Sequence, residues 1–192
     1  MQTYPFPQPA IFKKILLAGC LSAFCLTAVS LRADDVKELI AVLQPTEGNK
    51  AAGTVIFKDL GNGKVDVTAH VTGLEPNSKH GFHIHEFGDI TAKDGMSTGS
   101  HFNPDHHDHA LPAQETRHAG DFGNLEANAE GVADMHLVVD NIVLTGAAKD
   151  AIIGRGVIVH LKLDDGSQPV GNAGARIADG VIGVKNTTPP KK

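Results

Sequence analysis

Tryptophan is absent from this chain of 192 residues, tyrosine occurs once, and cysteine only twice, as Cys20 and Cys25. Both cysteines fall inside an apolar stretch near the start, so a chain cut beyond it has no thiol and no disulfide to hold it together. Positive charge is not in excess either: 17 Lys and Arg stand against 22 Asp and Glu, a formal net charge of −5. The acidic residues are scattered rather than in a run, which excludes an acidic tail and argues against a nucleic-acid partner. Sustained helical periodicity is also missing beyond the first 35 residues. What the chain has in quantity is glycine, with 21 residues, and histidine, with 11. At 41% hydrophobic residues it can build one domain with a sizeable core.

Lys13 and Lys14 precede an apolar run from Ile15 to Leu31 that ends in small residues, the pattern of a secretory leader. Ala28-Val29-Ser30 and Leu31-Arg32-Ala33 both offer a cleavage site, after Ser30 or after Ala33. An uncleaved anchor is a competing reading, although a spanning helix needs roughly 20 residues. Acylation at Cys20 is another, weakened by the short distance from Lys14. Removal of the leader leaves a chain with no stable membrane insertion and, for a cut after Ser30, 15 basic against 22 acidic residues, a formal charge of −7. The expected limits are 1–33 for the leader, 34–185 for the folded domain and 186–192 for a frayed tail.

Past the leader the pattern has period two and is broken by glycine turns, so the fold class is all-β. Gly53 to Leu60 and Lys64 to Val71, joined by Gly61-Asn62-Gly63, read as a hairpin. Val65, Val67, Ala69 and Val71 share one face of its second strand, and Lys64, Asp66, Thr68 and His70 the other. Val36 to Gln44, Gly131 to Val139, Gly156 to Leu163 and Ile177 to Val184 are further strands. A long excursion runs from Gly88 to roughly Asn124, rich in Gly, Asp, His and Pro, and an ordered loop of that length usually has a function or a ligand holding it.

The chemistry concentrates around that excursion. His83-Ile84-His85 is an H-x-H on a strand, which points both imidazoles to one face. His101, His109, His118 and Asp121 follow, the last two three residues apart, and three histidines with one carboxylate make a closed set suited to zinc. In Gly156 to Lys162, Val157, Val159 and Leu161 face one way and His160 the other, so His160 can join His83 and His85 on a polar outer face. An all-nitrogen set of that kind suits copper. His70 and His136 read as surface residues, His106 and His107 as exposed loop residues, and His80 as a structural hydrogen-bonding group.

Five blocks in order make the chain from about Val36 to Val184 resemble the Cu/Zn superoxide dismutase family: GFHIHEFGD (81–89), HFNP (101–104), RHAGDFGN (117–124), GRGVIVHLKLDD (154–165) and GNAGARIADGVIG (171–183). The resemblance implies a Greek-key β-barrel or sandwich, immunoglobulin-like, of about eight antiparallel strands with a long metal-binding loop. It implies copper on His83, His85, His101 and His160, and zinc on His101, His109, His118 and Asp121, with His101 shared. Asp164 matches the carboxylate that links a copper histidine to a zinc histidine, here His83 and His109. Arg176 matches the arginine that receives the substrate, superoxide. Family members occur as monomers and dimers, so a homodimer is possible. The Asp165 to Gly171 segment is short and resembles the bacterial branch, in keeping with export to the periplasm or the extracellular space.

The departures matter as much. The cysteines of the family's cross-link correspond here to about Gly95 and to Asp179, with one extra residue between Asp89 and His101. Loss of such a bond costs roughly 2–5 kcal/mol in a small secreted domain. Asp179 is expected to replace it through polar contacts to the Lys93 to Met96 segment, a salt bridge to Lys93 among them, and an exposed pair contributes only ~0–1 kcal/mol. Two other functions stay open: an envelope copper or zinc binding protein with weak or no turnover, and a structural domain or metallohydrolase. A hydrolase needs an open zinc position, which the four-ligand set does not leave.

Overall fold

The computed structural model describes residues 36–188. The leader, its cleavage sites and both cysteines lie outside the described residues, as does the tail beyond Thr188. Eight strands account for the fold: β1 (Glu38–Pro45), β2 (Ala52–Asp59), β3 (Val65–Thr72), β4 (Lys79–His85), β5 (Asp121–Glu126), β6 (Ala133–Val139), β7 (Gly156–His160) and β8 (Arg176–Val184). Their order in the sheet is β5-β4-β7-β8-β1-β2-β3-β6, with every pairing antiparallel. The two ends of this order, β5 and β6, pack against each other, so the sheet nearly closes into a barrel. The crossings from β3 to β4 and from β6 to β7 make the topology a Greek key. Among the described residues no helix is long and apolar enough to cross a membrane.

Alternation works as expected in the hairpin. Val65, Val67, Ala69 and Val71 are buried, while Thr68 and His70 face solvent, and Asp59 pairs with Val65 across a turn that Gly61 and Gly63 make with positive φ. The inward face of β1 adds Leu39, Ala41 and Leu43. Phe122 ties the barrel together, its ring 6.3 Å from that of Phe57 on β2 and 5.8 Å from that of Phe82 on β4. Burial of each ring contributes roughly 1.5–3 kcal/mol.

Two expectations are corrected. The long excursion ends at Gly120, and its final residues form the edge strand β5, which pairs with β4 from Glu126 back to Asp121. Strand β7 stops at His160 instead of running to Leu163, because the chain turns there to hydrogen-bond Leu161 N and Lys162 N to the carbonyls of Ala175 and Ala173. The loop of residues 86–120 is itself pinned to β4. Phe102 N donates to Ile84 O and Ile84 N to Gly120 O, both at 2.9 Å, and His101 forms an isolated bridge with His85.

Candidate metal centre

The centre is built on the outer face of β4 and β7. Phe82 and Ile84 point into the core, so His83 and His85 point out, and β7 brings His160 alongside them. This outer face is polar, as expected, but closed to solvent: the loop covers it, and His83, His85 and His160 are all buried. The loop contributes His101, His109 and His118, and β5 begins with Asp121, the register partner of His83.

Two sets result. The ligand atoms of His83, His85, His101 and His160 lie within 4.8 Å of one another, and those of His101, His109, His118 and Asp121 do the same. Every expected ligand is therefore brought together, and His101 belongs to both sets. The hydrogen bonds decide which nitrogens remain available. Asp164 Oδ2 lies 2.8 Å from His83 Nε2 and its Oδ1 2.9 Å from His109 Nε2, so one carboxylate orients both rings. His83 Nδ1 is left buried with no partner, and so is His118 Nδ1, which stands 3.3 Å from Asp121 Oδ1. His85 and His160 turn their Nδ1 atoms to the carbonyls of Gly99 and Gly174, each at 3.0 Å, and bring their Nε2 atoms to 3.3 Å of each other. His101 Nδ1 faces Asp121 Oδ1 at 2.9 Å, which leaves Nε2 for the first set. Buried lone pairs converging without protein donors are what a cation requires, and the residues fit one in each set.

Electrostatics agrees with this. In the polypeptide alone, burial drives His101 down to about 4 and His160 to about 3, and pushes His85 well below and His83 below the ordinary imidazole range. These rings are neutral donors at pH 7. Burial opposes ionisation of Asp121, yet its contacts with His101, His109 and His118 outweigh it and hold the carboxyl far below its usual range. For His109 too the two carboxylates Asp121 and Asp164 outweigh burial, and it is raised to about 9.

Several residues in the support were not singled out from the sequence. Asn124 clasps Asp164 with its side chain, donating to Asp164 O at 2.9 Å and accepting from Asp164 N at 2.8 Å. Gln168 does the same to His109, at 2.7 and 3.1 Å. Gly171 has φ +71°, and a methyl there would stand 1.9 Å from Asp164 Oδ1 and 2.7 Å from His109 Nε2, so no side chain fits. Asn124 and Gly171 lie inside the quoted blocks, but nothing in their spacing marks them as supports. His80, as expected, is structural: its Nδ1 lies 2.8 Å from His160 O. His70 pairs with Asp134 on the surface.

Arg176 adjoins the first set, since it shares the Gly99 carbonyl with His85 Nδ1. Its Nη1 donates to Gly95 O at 2.5 Å and to Thr98 Oγ1 at 2.8 Å, and its Nη2 to Gly99 O at 2.5 Å. Gly95 and Asp179 are neighbours, since a methyl on Gly95 would lie 3.4 Å from Asp179 Oδ2. The expected Lys93–Asp179 ion pair does not form; Lys93 Nζ instead lies 3.1 Å from Glu47 Oε1, because Asp179 is buried and Lys93 is on the surface. Burial pushes the Asp179 carboxyl up, against the opposing effects of the Gln44 amide and Arg176.

Comparison with known proteins points the same way. The family model described as copper/zinc superoxide dismutase matches residues 51–182. A solved structure, that of the clock protein EA4, is 42% identical, superposes with a TM-score of 0.71, and aligns over 78% of this chain and 96% of its own. With the family model spanning more than half of its length, the chain belongs to the copper/zinc superoxide dismutase family.

Proposed function

We propose that the protein is an active superoxide dismutase. The observation that supports it most is the pair of buried donor sets sharing His101 beside an arginine. His83, His85, His101 and His160 would hold copper, and His101, His109, His118 and Asp121 zinc. Copper supplies one-electron chemistry, by which one superoxide is oxidised to oxygen and a second, with two protons, is reduced to hydrogen peroxide. Zinc has no accessible redox state, so its set serves to hold the loop and His101.

The chain's own residues do the rest. Arg176 stays charged at any working pH and docks a small anion; its bonds to Gly95, Thr98 and Gly99 fix the direction in which it does so. His101 keeps Nδ1 on the zinc side and can hold a proton at Nε2, next to the docked anion. Asp164 keeps His83 and His109 in the tautomers that direct Nδ1 inward. A negative net charge repels superoxide at a distance, so local focusing at Arg176 has to overcome it.

The test is superoxide consumption by protein loaded with copper and zinc, with Arg176→Ala and His101→Ala alongside. Turnover that falls by at least roughly tenfold in Arg176→Ala, with copper still bound, supports the reading. Absence of turnover in the unaltered, fully loaded protein supports the alternative, an envelope copper or zinc binding protein, which the replacement of both cross-link positions by Gly95 and Asp179 favours.

The same reading places the protein outside the cytoplasm, with residues 34–185 as the mature domain after loss of 1–33. It also includes a homodimer. Val42 is 64% exposed, Phe87 57%, Ile153 40% and Val181 37%. Val42 lies opposite Val181 between the pairs Ala41–Ile182 and Gln44–Asp179, and Gly88, next to Phe87, approaches both Val181 and the carbonyl of Gly154, next to Ile153. Exposed apolar side chains on these neighbouring segments suit a second copy of the chain.

A further inference from the structure

Strand β8 carries an irregularity next to Arg176. His160 on β7 pairs with Arg176, but Val159 pairs with Ala178 and Ile158 with Asp179, so Ile177 is an extra residue. In a regular strand, residues three apart face opposite ways; the bulge at Ile177 cancels that and puts Arg176 and Asp179 on one face, with His160 and Ile158. Thr46 holds the bulge in place, its Oγ1 donating to Arg176 O at 2.7 Å and its N to Ile177 O at 3.3 Å. Above this face runs the loop. Gly95, in the left-handed region with φ 73°, comes so close that a methyl on it would lie 3.3 Å from Arg176 Cβ and Cδ and 3.4 Å from Asp179 Oδ2. Gln44 on β1 is the register partner of Asp179, so its side chain stands on the same face beside that carboxylate and opposes the effect of burial on it.

Arg176 thus has two kinds of neighbour. Its guanidinium nitrogens are taken by loop acceptors at Gly95, Thr98 and Gly99, and its stem lies beneath Gly95 next to a buried carboxylate. No covalent tie joins the loop to β8 here, since positions 95 and 179 are not cysteine. A buried acid is costly unless it has partners, and the charged group that acts on Asp179 in this arrangement is Arg176. Asp94 also acts on the arginine, but it is exposed and its Oδ1 is engaged with Met96 N.

We propose that Asp179 is a positioning residue for Arg176: its buried carboxylate, set by Gln44 and by the bulge at Ile177, holds the arginine stem under Gly95 so that the guanidinium stays on the three loop acceptors. The proposal rests on the reading of Arg176 as the anion-docking group. It carries an unusual sign. Loss of a negative charge beside an anion site should by itself tighten anion binding. If Asp179 positions Arg176, its neutralisation loosens the arginine and anion binding becomes weaker.

The experiment compares the unaltered protein with Asp179→Asn and Gln44→Ala. Azide affinity is read from the absorption change of the copper- and zinc-loaded protein, and the Arg176 Nη–H resonances from nuclear magnetic resonance of the zinc-loaded protein. In Asp179→Asn, azide binding is expected to weaken roughly tenfold and the Arg176 resonances to merge as the guanidinium rotates faster. Gln44→Ala, an exposed position that should fold, is expected to shift both in the same direction by less. Azide binding unchanged or tighter, with Arg176 resonances as before, overturns the proposal even if thermal stability drops. The resonance measurement needs neither copper nor turnover, so it stands or falls separately from the dismutase reading.

Discussion

Gly171 shows how tightly the centre is built at the residue scale. A single methyl there would collide with Asp164 Oδ1 and His109 Nε2, and the backbone sits at φ +71°. Gly171→Ala is expected to displace Asp164, release both His83 and His109, and weaken metal binding by roughly 10- to 100-fold, as read by competition with a chromophoric chelator. The candidate ligands were legible in the sequence, in part because H-x-H alternation and the His118–Asp121 spacing follow from local geometry and for the rest because the five blocks resemble the family. The supports were not, because Asn124, Gln168 and Gly171 reach their partners only through the fold. The Lys93–Asp179 pair failed for a related reason: burial of Asp179 depends on what the loop covers, which spacing does not reveal. Protonation is a residue-scale property too. In the metal-free protein His101 and His160 are lowered to about 4 and 3 by burial, so their contribution to stability is intact above the ordinary 6.5 and is lost as pH falls through those values. His109, raised to about 9, contributes below 6.5 and loses that contribution as pH rises through 9. Urea midpoints of metal-free protein should therefore peak near pH 6.5 and fall on both sides; a midpoint that rises steadily from pH 5 to pH 9 would contradict these assignments.

At the scale of elements, strong alternation carried the expectation furthest. The β2–β3 hairpin shows inward valines and glycine turns, and it stands where period two placed it. Strand β5 was hidden because Asp121, Gly123 and Asn124 dilute its pattern, while its pairing with β4 comes from a partner distant in sequence. The β8 bulge was equally silent, since an extra residue is visible only in register. Phe122 joins β5 to the core between Phe57 and Phe82, alongside the fully buried Leu125. Phe122→Ala is expected to cost ~3–5 kcal/mol in urea unfolding of the metal-free protein. A loss below about 1 kcal/mol would mean that β5 is held by its pairing with β4 and by the contacts of Asp121 with His101 and His109 rather than by the packing of Phe122.

For the whole molecule, with no cysteine at positions 95 and 179 loop order rests on backbone pinning and the Asp164 and Asp121 contacts and, in the proposed metal-loaded state, on the metals. Removal of zinc should lower the melting temperature and speed amide exchange across residues 86–120 more than in β1–β3. The exposed apolar residues Val42, Phe87, Ile153 and Val181 belong to this scale as well. Sedimentation should give a dimer for the unaltered protein and a monomer for Val181→Glu; identical sedimentation of the two would remove that interface. The central claim, two different cations joined through one imidazole, is tested most directly by anomalous diffraction on either side of the copper and zinc absorption edges, from crystals of fully loaded protein. The account predicts copper among His83, His85, His101 and His160, zinc among His101, His109, His118 and Asp121, and His101 in contact with both. A metal found in the other's set, or one with no contact to His101, would contradict it.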